Sequence, residues 1–163
     1  MARPNWTRGL SFTLDWQTGM PRRVLDTWEE NIKFLDSLLV NHKLTLYQAF
    51  IHWHKDPDIV HYCGVTYLDE KRMAFCSGND KETMLHEVAH LQYGISDHNE
   101  RWADRLITLH RKYLKGSELK RADGDLAHDY TNAAKAFKKR FGTVPKRVKH
   151  RRRASVEELP ETP

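Results

Sequence analysis

The chain has 163 residues, of which 39% are hydrophobic and 30% charged, with a formal net charge of +5. That length suits one modest domain, and no apolar run approaches the ~20 residues of a membrane-spanning helix. Its two cysteines, Cys63 and Cys76, are too few for a disulfide scaffold or a thiolate zinc cluster and read as free thiols.

The charge is unevenly placed. Residues 135–153 hold ten Lys or Arg and no acid, whereas the chain before them holds 17 basic and 19 acidic residues. Any attraction to an anionic partner therefore belongs to the C-terminal stretch. The first residues carry Arg3, Arg8, Asp15 and Trp16 without a sustained apolar run, unlike a secretory leader, so a cytoplasmic location is expected.

Taken in order, residues 1–21 have weak periodicity. The alternation of Phe12, Leu14 and Trp16 suggests a short strand or an extended segment docked on the body. A helix is predicted over 22–40, with Pro21 at its start and Leu25, Trp28, Ile32, Leu35 and Leu39 on one stripe. The segment 44–53 reads as a second helix buried through Leu46, Tyr47, Phe50 and Ile51, although strand alternation is partly satisfied. Residues 59–68 and 72–76, separated by Asp69, Glu70 and Lys71, read as an antiparallel hairpin.

The next helix is expected over 80–93. Asn79 and Glu82 have capping-box spacing, and Gly94 stands where a left-handed residue would end the helix. A helix follows over 100–113 through Trp102, Leu106, Leu109 and Tyr113. The stretch 116–124 reads as a polar loop. A last helix is predicted over 125–141 through Leu126, Tyr130, Ala134, Phe137 and Phe141. From Lys146 onward little can be buried, so a disordered tail is expected.

The chemistry concentrates in His86-Glu87-Val88-Ala89-His90, an HExxH sequence. On a helix, residues four apart share a face, so His86 and His90 can converge on one zinc ion. Glu87 points about 100° away from that face, too far to ligate alongside them but able to act as general base toward a water in the open coordination position. A catalytic zinc needs a third protein ligand. His98 is preferred because imidazole suits zinc and the residue lies in the loop after Gly94, with Asp97, Glu100 and Asp104 as alternatives.

A developing oxyanion needs a further donor, for which Tyr93, His61 or a backbone amide are candidates. Asp97, Asp104 or backbone carbonyls would hold the free imidazole nitrogens. His52 and His54, two apart, do not share a helix face.

Three pieces, Met73-Ala74-Phe75, His86 to His90, and His98-Asn99-Glu100-Arg101-Trp102, resemble the SprT-like and WLM-type zincin-like metallopeptidases over roughly residues 65–114. The resemblance implies His86, His90 and His98 as ligands and Glu87 as the base. It also implies a small α+β zincin-like domain over 22–142, with helices packed around a short antiparallel sheet. An N-terminal extended segment over 1–21 and a basic tail over 143–163 flank it. Asn99 follows His98 where the family usually has Gly, and there is no cysteine-rich zinc module.

The expected activity is zinc-dependent hydrolysis of protein or peptide bonds. A zinc hydrolase of another substrate and a nonenzymatic metal-containing nucleic-acid or partner-binding protein are the alternatives. Lys146, Arg147, Lys149, Arg151, Arg152 and Arg153 form a candidate nonspecific nucleic-acid contact, without the interleaved aromatics of a reading module.

Overall fold

The computed structural model describes residues 5–54, 63–76 and 80–148. After a 3-10 turn at Asn5–Thr7, the order is β1 (Thr13–Trp16), α1 (Arg22–Asn41), β2 (Gln48–Ile51), β3 (Gly64–Tyr67) and β4 (Arg72–Phe75). Four helices follow: α2 (Lys81–Tyr93), α3 (Glu100–Tyr113), α4 (Gly116–Asp129) and α5 (Thr131–Phe141). The class is α+β, with five helices packed around a four-stranded sheet.

The sheet runs β1-β2-β4-β3. Only the β3–β4 hairpin is antiparallel, while β1–β2 and β2–β4 pair in parallel, so the sheet is mixed rather than antiparallel. Helix α1 supplies the crossover from β1 to β2 that a parallel pair requires. It forms where the apolar stripe predicts, and buries Leu25, Trp28, Ile32, Leu35, Leu38 and Leu39.

The expected helix over 44–53 is instead strand β2. Ala49 and Ile51 face the core while Gln48 and Phe50 are half-buried, the period of a strand. Pairing on both edges, with β1 and β4, satisfies the β2 backbone and overrides local helix propensity.

The expected loop at 116–124 is also overturned, because those residues open α4. Ala122, Leu126 and Ala127 give this helix a narrow buried face between charged residues, too slender to stand out as a stripe. Consequently the single helix expected over 125–141 is two helices, broken at Tyr130, whose backbone is extended at φ −128 and ψ 112.

Helix α2 is capped by Asp80, whose carboxylate accepts from the Thr83 amide at 2.7 Å, and not by Asn79, which lies outside the described residues. Gly94 ends it in the left-handed conformation, as expected.

The start of the expected tail is packed. A Cβ on Gly124 would come within 2.5 Å of the Lys146 carbonyl oxygen, so the chain crosses α4 there against bare backbone. Arg147 Nε donates to Asp125 Oδ1 at 3.1 Å. Lys149, Arg151, Arg152 and Arg153 lie outside the described residues.

The core joins Phe75 and Met73 of the sheet to α1 and the inner faces of α2 and α3, and the Trp28 and Phe75 rings pack at 6.0 Å. Replacing Phe75 by Ala should cost about 3–5 kcal/mol through lost burial and the cavity left behind. Val40→Ala, at a position 62% exposed, should stay within about 0.5 kcal/mol. Urea unfolding at unchanged slope measures both.

Candidate metal centre

The i, i+4 spacing places His86 and His90 on one face of α2, and the loop after Gly94 returns His98 to meet them. The three Nε2 atoms form a nearly equilateral triangle, with sides of 3.1 Å (His86–His98), 3.2 Å (His90–His98) and 3.3 Å (His86–His90). A tetrahedral ion with metal–nitrogen bonds of about 2.0–2.1 Å separates its ligands by about 3.3–3.4 Å, close to these sides. Among the described residues, these three form the group of His, Cys, Asp or Glu side chains close enough to share an ion.

The supports are specific. His90 Nδ1 donates to the Ile95 carbonyl at 2.6 Å, which leaves its Nε2 with the lone pair. The His98 backbone is fixed by Asn132 of α5, whose Nδ2 donates to the His98 carbonyl at 2.9 Å. Trp102, fully buried, is the common floor: its ring centroid lies 4.8, 5.3 and 4.4 Å from those of His86, His90 and His98. Burial, followed by the neighbouring histidines, pushes His86 down to about 3. Burial also lowers His90 and His98. All three rings are thereby held uncharged at neutral pH, the form that ligates.

The carboxylates weighed as third ligands are engaged elsewhere or simply nearby. Asp104 pairs with Arg140 at 3.1 Å and Glu100 with Lys139 at 3.7 Å. Asp97 is close enough to raise the His90 and His98 pKa values, opposing their burial.

Glu87 is only 3% exposed and reaches the cavity beside the triangle. Thr66 of β3 donates its hydroxyl to Glu87 Oε2 at 2.6 Å. Gly64, two residues earlier on the same strand face, lies under the other oxygen: a Cβ there would meet Oε1 at 2.9 Å and Cγ at 3.0 Å. Burial raises the Glu87 carboxyl to about 7, against the lowering effect of the Thr66 bond.

Sequence reasoning does not assign Gly64, Thr66 or Tyr130 to the site; its single long helix makes Tyr130 a packing residue. A glycine inside a predicted strand was the one available signal, since it marks a close backbone approach. Tyr130, at the break between α4 and α5, puts its ring 4.6 Å from His98 and 5.9 Å from His86. Burial, Asp129, Glu87 and Cys63 raise its pKa, in that order, so the phenol keeps its proton. Tyr93 is 42% exposed, lies under the Arg101 guanidinium at 4.4 Å, and is not among the residues lining the cavity. His61 lies outside the described residues.

The cavity has a volume of about 740 Å³ and runs from β3 past the histidine triangle to the facing sides of α3 and α4. The arrangement is that of a zincin-like metal site, consistent with a zinc-dependent hydrolase.

No family model and no curated protein matches the chain. Among solved structures it is similar to a Wss1 mutant from Saccharomyces cerevisiae, at 13% identity and a TM-score of 0.49, over 65% of this chain and 90% of that one.

Purified protein should carry about one zinc per chain by elemental analysis. His86→Ala and His98→Ala should each lose most of it, and Glu87→Gln should keep it. Zinc retained in His98→Ala would move the third ligand to Asp97.

Proposed function

We propose that this chain is a zinc-dependent metallopeptidase with Glu87 as its general base. The observation that supports this best is the Nε2 triangle with the Glu87 carboxylate beside it, in one cavity bordered by an edge strand. The donor set suits zinc: three uncharged imidazole nitrogens at tetrahedral spacing, with no thiolate among them. Bound there, zinc supplies Lewis acidity, which lowers the pKa of a water and polarises a carbonyl.

The chain supplies the proton handling. Thr66 occupies Oε2 of Glu87, so Oε1 is the oxygen that takes a proton from the attacking water and returns it to the leaving amine nitrogen. Tyr130 is the donor for the developing oxyanion. Its ring faces His86 and His98, and its hydroxyl remains protonated. Asn132 and Trp102 hold the histidines and leave the reacting groups free of that task.

A peptide substrate is favoured over other electrophiles by β3. Among the described residues this strand has a ladder partner, β4, on one side only. Gly64, Val65 and Thr66 line the cavity, so an extended peptide pairing with that edge would bring its backbone alongside Glu87. The proposal extends to the SprT-like and WLM-type zincins on the motif pieces of the sequence. In a role near nucleic acid, Arg147 would exchange Asp125 for a phosphate.

Hydrolysis of a mixed peptide library should stop on chelation and return with zinc. Glu87→Gln should lose at least ~10²-fold in kcat while keeping its metal. Gly64→Ala should also keep zinc and lose kcat, because its Cβ displaces the Glu87 carboxylate. Thr66→Val should cost about tenfold, as removal of an orienting partner does. Cleavage of esters without any peptide would replace the peptidase reading by that of another zinc hydrolase.

A further inference from the structure

We infer that Cys63 and Cys76 are a reversible dithiol–disulfide pair at the rim of the cavity, closed by a hydroperoxide and acting as a clamp on β3. This goes beyond the peptidase reading and does not depend on it.

The two cysteines flank the β3–β4 hairpin, and the register brings them together. Gly64 pairs with Phe75, so the next step outward sets Cys63 opposite Cys76. The Cys76 amide donates to the Cys63 carbonyl at 3.0 Å, which makes this a hydrogen-bonded site of the antiparallel pair. Residues opposite each other project from the same face, and at such a site their Cα atoms are about 5.5 Å apart.

A disulfide spans about 4.4–6.8 Å between Cα atoms, so the backbone spacing suits one. Its Cβ atoms sit about 3.8 Å apart, against up to about 5.5 Å across a hydrogen-bonded pair. The bond therefore forms by drawing the strand ends together, at the point where the ladder stops. Such strain makes a disulfide easily reduced, which suits a reversible link and not a permanent staple.

Both side chains are thiols in this structure. Cys63 is exposed and lines the cavity, while Cys76 is half-buried. Burial, then the Cys63 thiol, raises the Cys76 pKa, so the two sulfurs lie in one field and Cys76 keeps its proton longer. Among the described residues neither sulfur belongs to a group that could share a metal ion.

A small oxidant thus meets Cys63 first. Its thiolate attacks one oxygen of hydrogen peroxide and the O–O bond breaks. Cys63 becomes a sulfenic acid, and the hydroxide takes up the proton that Cys63 released. The Cys76 sulfur then attacks the Cys63 sulfur, the S–O bond breaks, and hydroxide leaves as water with the Cys76 proton. Two thiols and one peroxide give one disulfide and two waters. The second step is intramolecular, which offsets the smaller thiolate fraction of Cys76.

The position gives the link its effect. Gly64 follows Cys63 and stands so close to Glu87 that a Cβ there would meet Oε1 at 2.9 Å. After burial, Asp129 and Glu87, Cys63 also adds to the raised pKa of Tyr130, which lines the same cavity. Joining Cys63 to Cys76 ties down β3 at the end beside the Glu87 carboxylate.

The test treats zinc-loaded protein with a few equivalents of hydrogen peroxide, blocks remaining thiols with N-ethylmaleimide and maps the peptides by mass. The chain should become lighter by two hydrogens and yield a linked Cys63–Cys76 peptide, which dithiothreitol reverses. In glutathione buffers the same species should appear in a single two-electron transition. Unchanged thiols, a glutathione adduct on Cys63 in place of the linked peptide, or a link only between two chains would each overturn the pair. Cys76→Ser should stop at a Cys63 sulfenic acid that dimedone captures, and Cys63→Ser should give no adduct at Cys76. The reverse labelling would overturn the assigned order.

Amide hydrogen exchange reads the clamp. Oxidation should slow exchange over residues 64–75 by at least about threefold in the wild type and leave Cys76→Ser unchanged. Equal exchange in the reduced and oxidised wild type would overturn the clamp. Mass map and exchange are both decisive on the wild type alone, should a variant fail to fold.

Discussion

Three imidazole nitrogens held within 3.3 Å of one another put their lone pairs face to face, an arrangement that nothing in the rings themselves favours. The surrounding chain has to impose it. Two of the rings come from a single helix turn, where the backbone alone sets their separation. The third comes from a loop, which is the less rigid source. Hence His98 is the candidate ligand with the most external support: its carbonyl is bonded by Asn132, its ring lies between Trp102 and Tyr130, and Asn99 caps α3 by accepting from the Trp102 amide. The cap that starts α3 therefore also fixes the residue after His98, and the helix it starts carries the aromatic floor.

This dependence accounts for the arrangement of the C-terminal helices. Trp102 must be buried to act as a floor, so α3 is packed between α2 on one side and α4 and α5 on the other. The break at Tyr130 lets α4 and α5 both pack against α3 and brings the tyrosine ring against His98 and His86. A continuous helix over that region would carry Tyr130 on its periodic stripe instead of at a corner. The same α4 brings Asp125 and Leu126 to the cavity, so the helix that ends at Tyr130 beside the histidines also lines the far wall.

What could be read from the sequence was the chemistry that local periodicity encodes. Spacing of four on a helix sufficed for His86 and His90, and a wide apolar stripe sufficed for α1 and α3. Where the determining contacts are distant in the chain, local pattern failed. Strand β2 is specified by parallel neighbours more than twenty residues away on each side, and no property of 44–53 alone records them. Helix α4 failed for a different reason. Its buried face is built from Ala122, Gly124 and Ala127 because α5 and the crossing segment at Lys146 lie close, and small residues carry little hydrophobic signal. The capping residue was off by one, Asp80 for Asn79, because both types cap well and only the backbone turn decides between them.

The same kind of distant constraint governs the proposed base. Glu87 is buried, so its position is set by what it touches, and it touches β3: Thr66 bonds one oxygen and Gly64 leaves room for the other. Alternation along a strand puts Gly64 and Thr66 on one face, while the hydrogen-bonding groups of the strand point sideways in the plane of the sheet. One short strand thus orients the carboxylate with a face and offers an edge at right angles to it. Under the proposed peptidase reading, a chain pairing with that edge would meet β3 on a side separate from the face that supports Glu87. Widening Gly64 acts on the face alone, whereas blocking the edge acts on substrate alone. The separation of kcat from KM between those two kinds of change follows from the geometry of a pleated strand and needs no movement elsewhere in the molecule.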